Sequence, residues 1–273
     1  MRSISLIAWR ELRDALHSRW LLGFGLLLAL LTLAISYYGL VSAHEVGFQG
    51  FASVSASLLN LILFALPLVA MLQAIASLNA DGDELAILLT QPLARGQVLL
   101  GKYLGMLASM VVTLGGGLLL GGLVVLVQAG GDALLSFLLL MLLSFVLMAA
   151  FSAIGMLLGV VWRERTRALG TALAVWFALD VLYDLVVFGV TISSPGFSLK
   201  AMLIGALLLN PIDGVRVCYL LTTGASSFVG VAGAVLAETL GSPLGLASLV
   251  GVLLLTPIAT LGVAGRLFQR RDF

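Results

Sequence analysis

Charge is what this sequence has least of. Only 10% of its 273 residues are Asp, Glu, Lys or Arg, against 61% hydrophobic, where soluble domains carry about 25% charged residues. So little charge cannot cover a water-facing surface, which argues against a soluble enzyme, a nucleic-acid binder and a disordered scaffold. The one cysteine, Cys218, excludes an internal disulfide framework and a cysteine-only metal site within one chain. The two histidines, His17 and His44, lie outside every long apolar run, so an intramembrane serine protease has no base at membrane depth. Proline is scarce at 6 residues and glycine abundant at 31, as close helix packing in lipid favours. What the chain does have is several apolar runs of about 20 residues or more, enough to cross about 30 Å of hydrocarbon. Its mean hydropathy is +1.18. The sequence reads as an all-α polytopic membrane protein.

Residues 1–19 place Ile4, Ala8, Leu12, Ala15 and Leu16 on one side of a helical wheel, with Arg10, Arg13, Asp14 and His17 on the other. That pattern is an interfacial amphipathic helix. A cleaved signal peptide fits worse, since the leading segment holds acids and the apolar run behind it is too long. Spans are expected at about 20–41, 56–78, 103–128, 134–161, 169–192 and 244–265. Between them, twelve of the fourteen Lys and Arg residues fall on one side of the membrane, and only Lys200 and Arg216 on the other. The positive-inside rule then puts both termini in the cytoplasm after six crossings. Residues 193–243 do not fit a seventh crossing. Leu199–Leu209 is too short to span, and Asn210-Pro211-Ile212-Asp213 interrupts it. Short helices dipping into the outer leaflet, or lying on it, are expected there, with their broken backbone covered by protein or a wet cavity.

Chemistry-bearing motifs are few. Gly96 to Lys102 matches most of a phosphate-binding loop, but Tyr103 replaces the magnesium-ligating hydroxyl and no strand precedes it, so the match is accidental. No cluster has metal-ligand spacing. Met106, Met110, Met141, Met148, Met156 and Met202 read as packing filler rather than as thioether ligands. The pairs Gly101/Gly105, Gly117/Gly121 and Gly155/Gly159 read as helix-packing faces. Asp180 and Asp184 share one face of the fifth span. A carboxylate near the bilayer centre costs about 2.5–3.5 kcal/mol, so both should face protein or water. Two readings stay open: a gating contact, with Arg216 or Lys200 as partner, or a structural hydrogen bond.

The connection 79–102 carries Asp83 and Glu84 where a helix N-terminus favours acids. Leu85, Leu88 and Leu89 follow at helical spacing, and Pro92 ends the helix. A short amphipathic helix on this face suits docking into a groove of a soluble subunit, the alternative being a membrane-lying re-entry helix. Asp83-Glu84-Leu85 followed by Leu88-Leu89, Gln91-Pro92, Arg95 and Gly101-Lys102 resembles the coupling-helix signature of type-2 ABC exporter permeases. Asn210-Pro211-Ile212-Asp213 and the terminal Phe268-Gln269-Arg270-Arg271-Asp272-Phe273 are similar too, and the likeness covers essentially the whole chain. It departs at Ala94, where a Ser is usual, and at Asp81-Gly82.

The resemblance implies a single permease domain over 1–273 that forms a homodimer in the bacterial inner membrane. It implies a separate cytoplasmic ATPase holding the ATP and magnesium, with no cofactor on this chain. Asp83, Glu84, Leu85, Leu88, Leu89, Pro92 and Arg95, with Arg163, Glu164 and Arg165 of the other inner loop, are then the ATPase-coupling residues. Within the family the likeness runs to permeases serving copper-centre maturation of nitrous oxide reductase. That branch implies a periplasmic β-helical protein and a copper chaperone at the outer face, contacted by Asn210, Pro211, Asp213 and Arg216. The polar groups expected inside the spans, Asn60, Gln73, Asp180 and Asp184, are too few for a broad hydrophilic channel, which points to force transmission or a small sulfur- or copper-related cargo. Other cargoes of the family (lipid, antibiotic, polysaccharide) and a passive membrane anchor are the alternatives.

Overall fold

A computed structural model of the chain describes residues 2–46, 49–79, 94–129, 131–162, 164–193, 199–223 and 237–270. Among them every regular element is helical. The amphipathic helix α1 (Arg2–Leu16) leads into the first span, α2 (Arg19–Val46). The second and third spans are α3 (Gln49–Asn79) and α4 (Arg95–Ala129), and the fourth is α5 (Gly131–Val161). The fifth is split into α6 (Arg165–Phe177), a π turn (Ala178–Leu182) and α7 (Tyr183–Ser193). Two short helices, α8 (Leu199–Leu209) and α9 (Pro211–Thr222), follow before the sixth span, α10 (Pro243–Gln269). Six of these elements are long and apolar enough to cross a membrane, and the protein is an all-α integral membrane protein with six transmembrane helices.

The second span is the hub. Its side of the core joins Leu58, Ile62, Leu66, Ala70, Met71 and Ala74, all nearly sealed, and it packs most extensively on the fourth span. Glycine makes that packing close: a Cβ on Gly155 would lie 2.7 Å from the Met71 carbonyl oxygen. The other small-residue pairs work alike. Gly117 and Gly121 admit Gly25, Ala29 and Thr32 of the first span, and Gly101 and Gly105 admit α1. Without a hydrophobic drive between helices in lipid, such close approach is where van der Waals association comes from. Pro67 interrupts the second span from within, and a proline weakens the carbonyl partnering one turn before it. Next to the Leu63 carbonyl that loses its partner, the Trp176 indole donates to the Phe64 carbonyl at 3.1 Å, with the two rings edge to face at 4.9 Å.

Three features refine the sequence expectation. The third-span helix begins at Arg95 rather than near 103, so Arg95 and Lys102 stand on its first two turns. Lys102 is 6% exposed, and a neutralised, buried lysine does not end an apolar helix. On α1 the expected side packs inward, with Ala15 buried and Ile4, Ala8, Leu12 and Leu16 half-buried, but Ile7 and Glu11 join it, whereas Leu6 and Trp9 point outward. The helix-breaking Asn210-Pro211 step is sealed inside the protein, covered by protein as expected for broken backbone, since α9 packs against the sixth and fourth spans. A Cβ on Gly214 would press on Leu253 at 2.9 Å.

Candidate functional site

Two polar centres stand out in an otherwise apolar bundle. The first joins the fifth span to α9. Asn210 is the N-cap of α9, its Oδ1 accepting from the Ile212 amide at 3.1 Å, with Pro211 in the first turn. That is the local chemistry a helix start prefers. The same side chain reaches outward with its amide: Nδ2 donates to the Leu179 carbonyl at 2.8 Å and to Asp213 Oδ2 at 3.0 Å. Leu179 lies in the π turn, where widened i→i+5 pairing disturbs the α-helical ladder, so Asn210 fastens α9 to the fifth span at its irregular point.

Arg216, one turn along α9, completes the centre. Its Nη1 donates to Asp213 Oδ1 at 2.9 Å and to Asp184 Oδ2 at 3.2 Å. Of the two cations left open by the sequence, Arg216 is the one seen on Asp184. Asp180 sits half-buried in the π turn within the field of Arg216 and Asp184, and the Tyr183 hydroxyl donates to the Ala206 carbonyl at 2.6 Å, tying α7 to α8. Burial, and then the Asp184 carboxylate, push Asp213 up to about 6, against the pull of Arg216 and the Asn210 hydrogen bond. This arrangement forms a latch, a charge-paired clip between the fifth span and α9 in which Arg216–Asp184 is the bond that crosses. Asn210 and Pro211 are buried and shape the segment from within, whereas Asp184 is half-exposed and Arg216 partly so.

The second centre is at the opposite end. Asp83, Glu84, Leu85, Leu88, Leu89 and Pro92 lie outside the described residues, as does Arg163. Their flanks are seen. Arg95 Nη1 donates to the Gln269 carbonyl at 3.0 Å, bracing the end of the sixth span against the start of the third. Glu164 holds the N-cap position of α6 without a side-chain capping bond and pairs instead with Arg167 at 2.7 Å, both well exposed. Glu11, Ser77 and Lys102 form a buried cluster just inside that level. Sequence reasoning singled out neither Glu11 nor Ser77. The available signal was an acid within the first helix at the spacing of Ile7 and Ala15.

Among the described residues no group of three His, Cys, Asp or Glu could hold a metal ion. Met106, Met110, Met148 and Met156 are fully buried in packing.

Comparison with known proteins agrees with an export-type permease. The family model described as ABC-2 family transporter protein matches residues 5–273. The chain is 35% identical over 271 residues to a probable ABC transporter permease protein NosY of Pseudomonas aeruginosa, covering 97% of each chain. It is 34% identical over 281 residues to the protein of the same name from Stutzerimonas stutzeri, covering 99% of each. Six spans and a match over nearly the whole chain together mean that this chain belongs to the ABC-2 transporter family, as the membrane-spanning permease subunit of an ABC transporter.

Proposed function

We propose that this permease couples ATP hydrolysis by a separate cytoplasmic ATPase to work at the periplasmic face, in copper-centre maturation of nitrous oxide reductase. The ATPase, carrying ATP and magnesium, grips the 79–102 connection together with Glu164 and Arg165; the chain itself holds no cofactor. Both termini are cytoplasmic, the membrane is the bacterial inner membrane, and two copies form the working unit. The twelve-to-two partition of Lys and Arg supports this orientation. Full-length similarity to two permeases named NosY is the observation that carries the reductase assignment.

The mechanism favoured by the geometry is rigid-body rocking of packed helices. Spans interlocked by glycine contacts move as blocks, and the fifth span is joined to α9 by Arg216–Asp184 and by Asn210–Leu179. A displacement started at the inner connection therefore reaches the outer segment. There Asp213 and Arg216 present the altered surface to a periplasmic β-helical protein and a copper chaperone. The outward face of the fifth span, with Leu173, Phe177, Leu185, Val186 and Phe188 exposed, is left for lipid or the second copy.

Purification from native membranes, followed by identification of co-eluting subunits, tests the assembly. An ATPase subunit and a periplasmic protein are expected with the permease. Glu84→Lys should remove the ATPase while leaving the permease in the membrane, and it is a cleaner probe than Arg95, which also braces Gln269. Normal reductase maturation with a hydrolysis-dead ATPase would reduce the permease to a passive anchor.

A further inference from the structure

Burying a carboxylate on the packed face of an amphipathic helix is costly unless partners meet it. Glu11 holds such a place on α1, between Ile7 and Ala15, with its side chain 14% exposed. Both of its oxygens are engaged. Oε2 accepts from Lys102 Nζ at 2.9 Å, and Oε1 accepts from Ser77 Oγ at 2.5 Å. Lys102 Nζ donates a second time, to the Ser77 carbonyl at 2.8 Å.

The positions of these partners matter more than their number. Ser77 lies in the last turn of the second span, and Lys102 in the second turn of the third. They are the two legs of the connection expected to meet the ATPase. One carboxylate from a third element ties both legs together. Glycine brings it close enough: a Cβ on Gly105 would collide with the Ala8 carbonyl oxygen, and one on Gly101 would lie 2.8 Å from Ile7 Cβ. An apolar contact of the same area would hold α1 but let it slide. Sliding by one residue is about 1.5 Å along the axis, enough to break hydrogen bonds of this length.

We infer that Glu11 is a positioning residue for energy coupling, which clasps Ser77 and Lys102 so that α1 and both legs of the 80–94 connection move as one piece. A push on the connection then reaches the second and third spans and the membrane-surface helix together, instead of being lost in bending at its base. The inference rests on the reading that the ATPase grips this connection.

The test uses the full permease–ATPase complex in lipid nanodiscs. Spin labels at Leu6→Cys on α1 and Leu104→Cys on the third span, both exposed positions, are placed in a Cys218→Ser background. The parent complex should retain ATPase and keep one narrow distance distribution with and without ATP plus vanadate. Glu11→Gln leaves Lys102 buried without its anion and can fail to fold, so the deciding variant is the neutral pair Glu11→Gln with Lys102→Met. In it, ATPase should stay bound, while the distance distribution broadens with nucleotide. Permease-dependent stimulation of ATP hydrolysis should fall at least about tenfold with the KM for ATP unchanged. Glu11→Asp, which keeps the charge, should restore most of the stimulation. A neutral pair that binds ATPase, keeps the narrow distribution and remains fully stimulated overturns the clasp alone. A parent permease that retains no ATPase overturns the docking reading and the clasp with it.

Discussion

Replacing Arg216 by Met removes the cation that holds α9 against the fifth span, and the protein carries its own reporter of the result. Cys218 is the sole cysteine, sits two residues further along α9 and is buried, so a thiol probe reaches it only when α9 lifts. Arg216 makes two bonds to carboxylates, at 2.9 and 3.2 Å. Hydrogen bonds to charged groups contribute about 1.5–3 kcal/mol each, but Asp184 is half in solvent, which discounts its share. The Asp213 bond lies within α9 itself, three residues apart, and survives lifting, so the Asp184 bond alone counts; at about 0.5–1 kcal/mol after screening it gives roughly two- to fivefold more frequent opening. Protonation adds a second handle. Asp213 is raised from 3.8 to about 6, so the seated helix binds the proton more tightly than the lifted one. Seating is then strongest below pH about 4 and weakens as pH rises through about 6, a change of roughly tenfold between pH 5 and 7.5. The assay is the rate of reaction of Cys218 with dithiodipyridine in nanodiscs, normalised to a model thiol at each pH. Arg216→Met should react about two- to fivefold faster than the parent at pH 7.5. Equal rates at pH 7.5, or a parent that opens more readily at pH 5, would refute the latch.

Gly105→Leu should displace α1 from the third span, because even a Cβ meets the Ala8 carbonyl there; a cost of about 1–3 kcal/mol is expected as a lower melting temperature and faster proteolysis within residues 2–16. Trp176→Phe keeps the ring contact with Phe64 but deletes the hydrogen bond to its carbonyl, and should cost about 0.5–1.5 kcal/mol in reversible unfolding in detergent. Arg95→Gln removes the brace on the Gln269 carbonyl; protease cleavage near the C-terminus should increase while ATPase retention, measured separately, reports any direct contact. Reporter fusions at residue 90 should place it in the cytoplasm, as the charge partition requires.

The six spans were legible because length and apolarity suffice to define a membrane crossing, and the glycine pairs announced close packing faces. What the sequence withheld were the partners. Nothing near Gly101 and Gly105 says that they receive α1 rather than another span. Lys102 looks like a loop residue until its counter-ion, some ninety positions away, is known. Cutting the third span short at that lysine followed from treating each segment's hydropathy alone. Asn210 and Pro211 were readable as a helix start; the second use of the Asn210 amide, on Leu179, depends on a π turn that Ala178–Leu182 does not advertise. The acidic and apolar residues of the inner connection were legible as a docking pattern, and they lie outside the described residues.

The π turn also sets a rule about length. Each residue in an α-helix advances about 100° around the axis, and a π turn spends one extra residue on about the same rotation, so forcing Ala178–Leu182 into regular α-helix with every residue kept would swivel everything beyond it by about that angle. Asp184 would then face away from Arg216, and Tyr183 from Ala206. Losing one residue here would instead let the turn close into regular helix with the faces beyond it kept, so this is the point in the span where the residue count has slack.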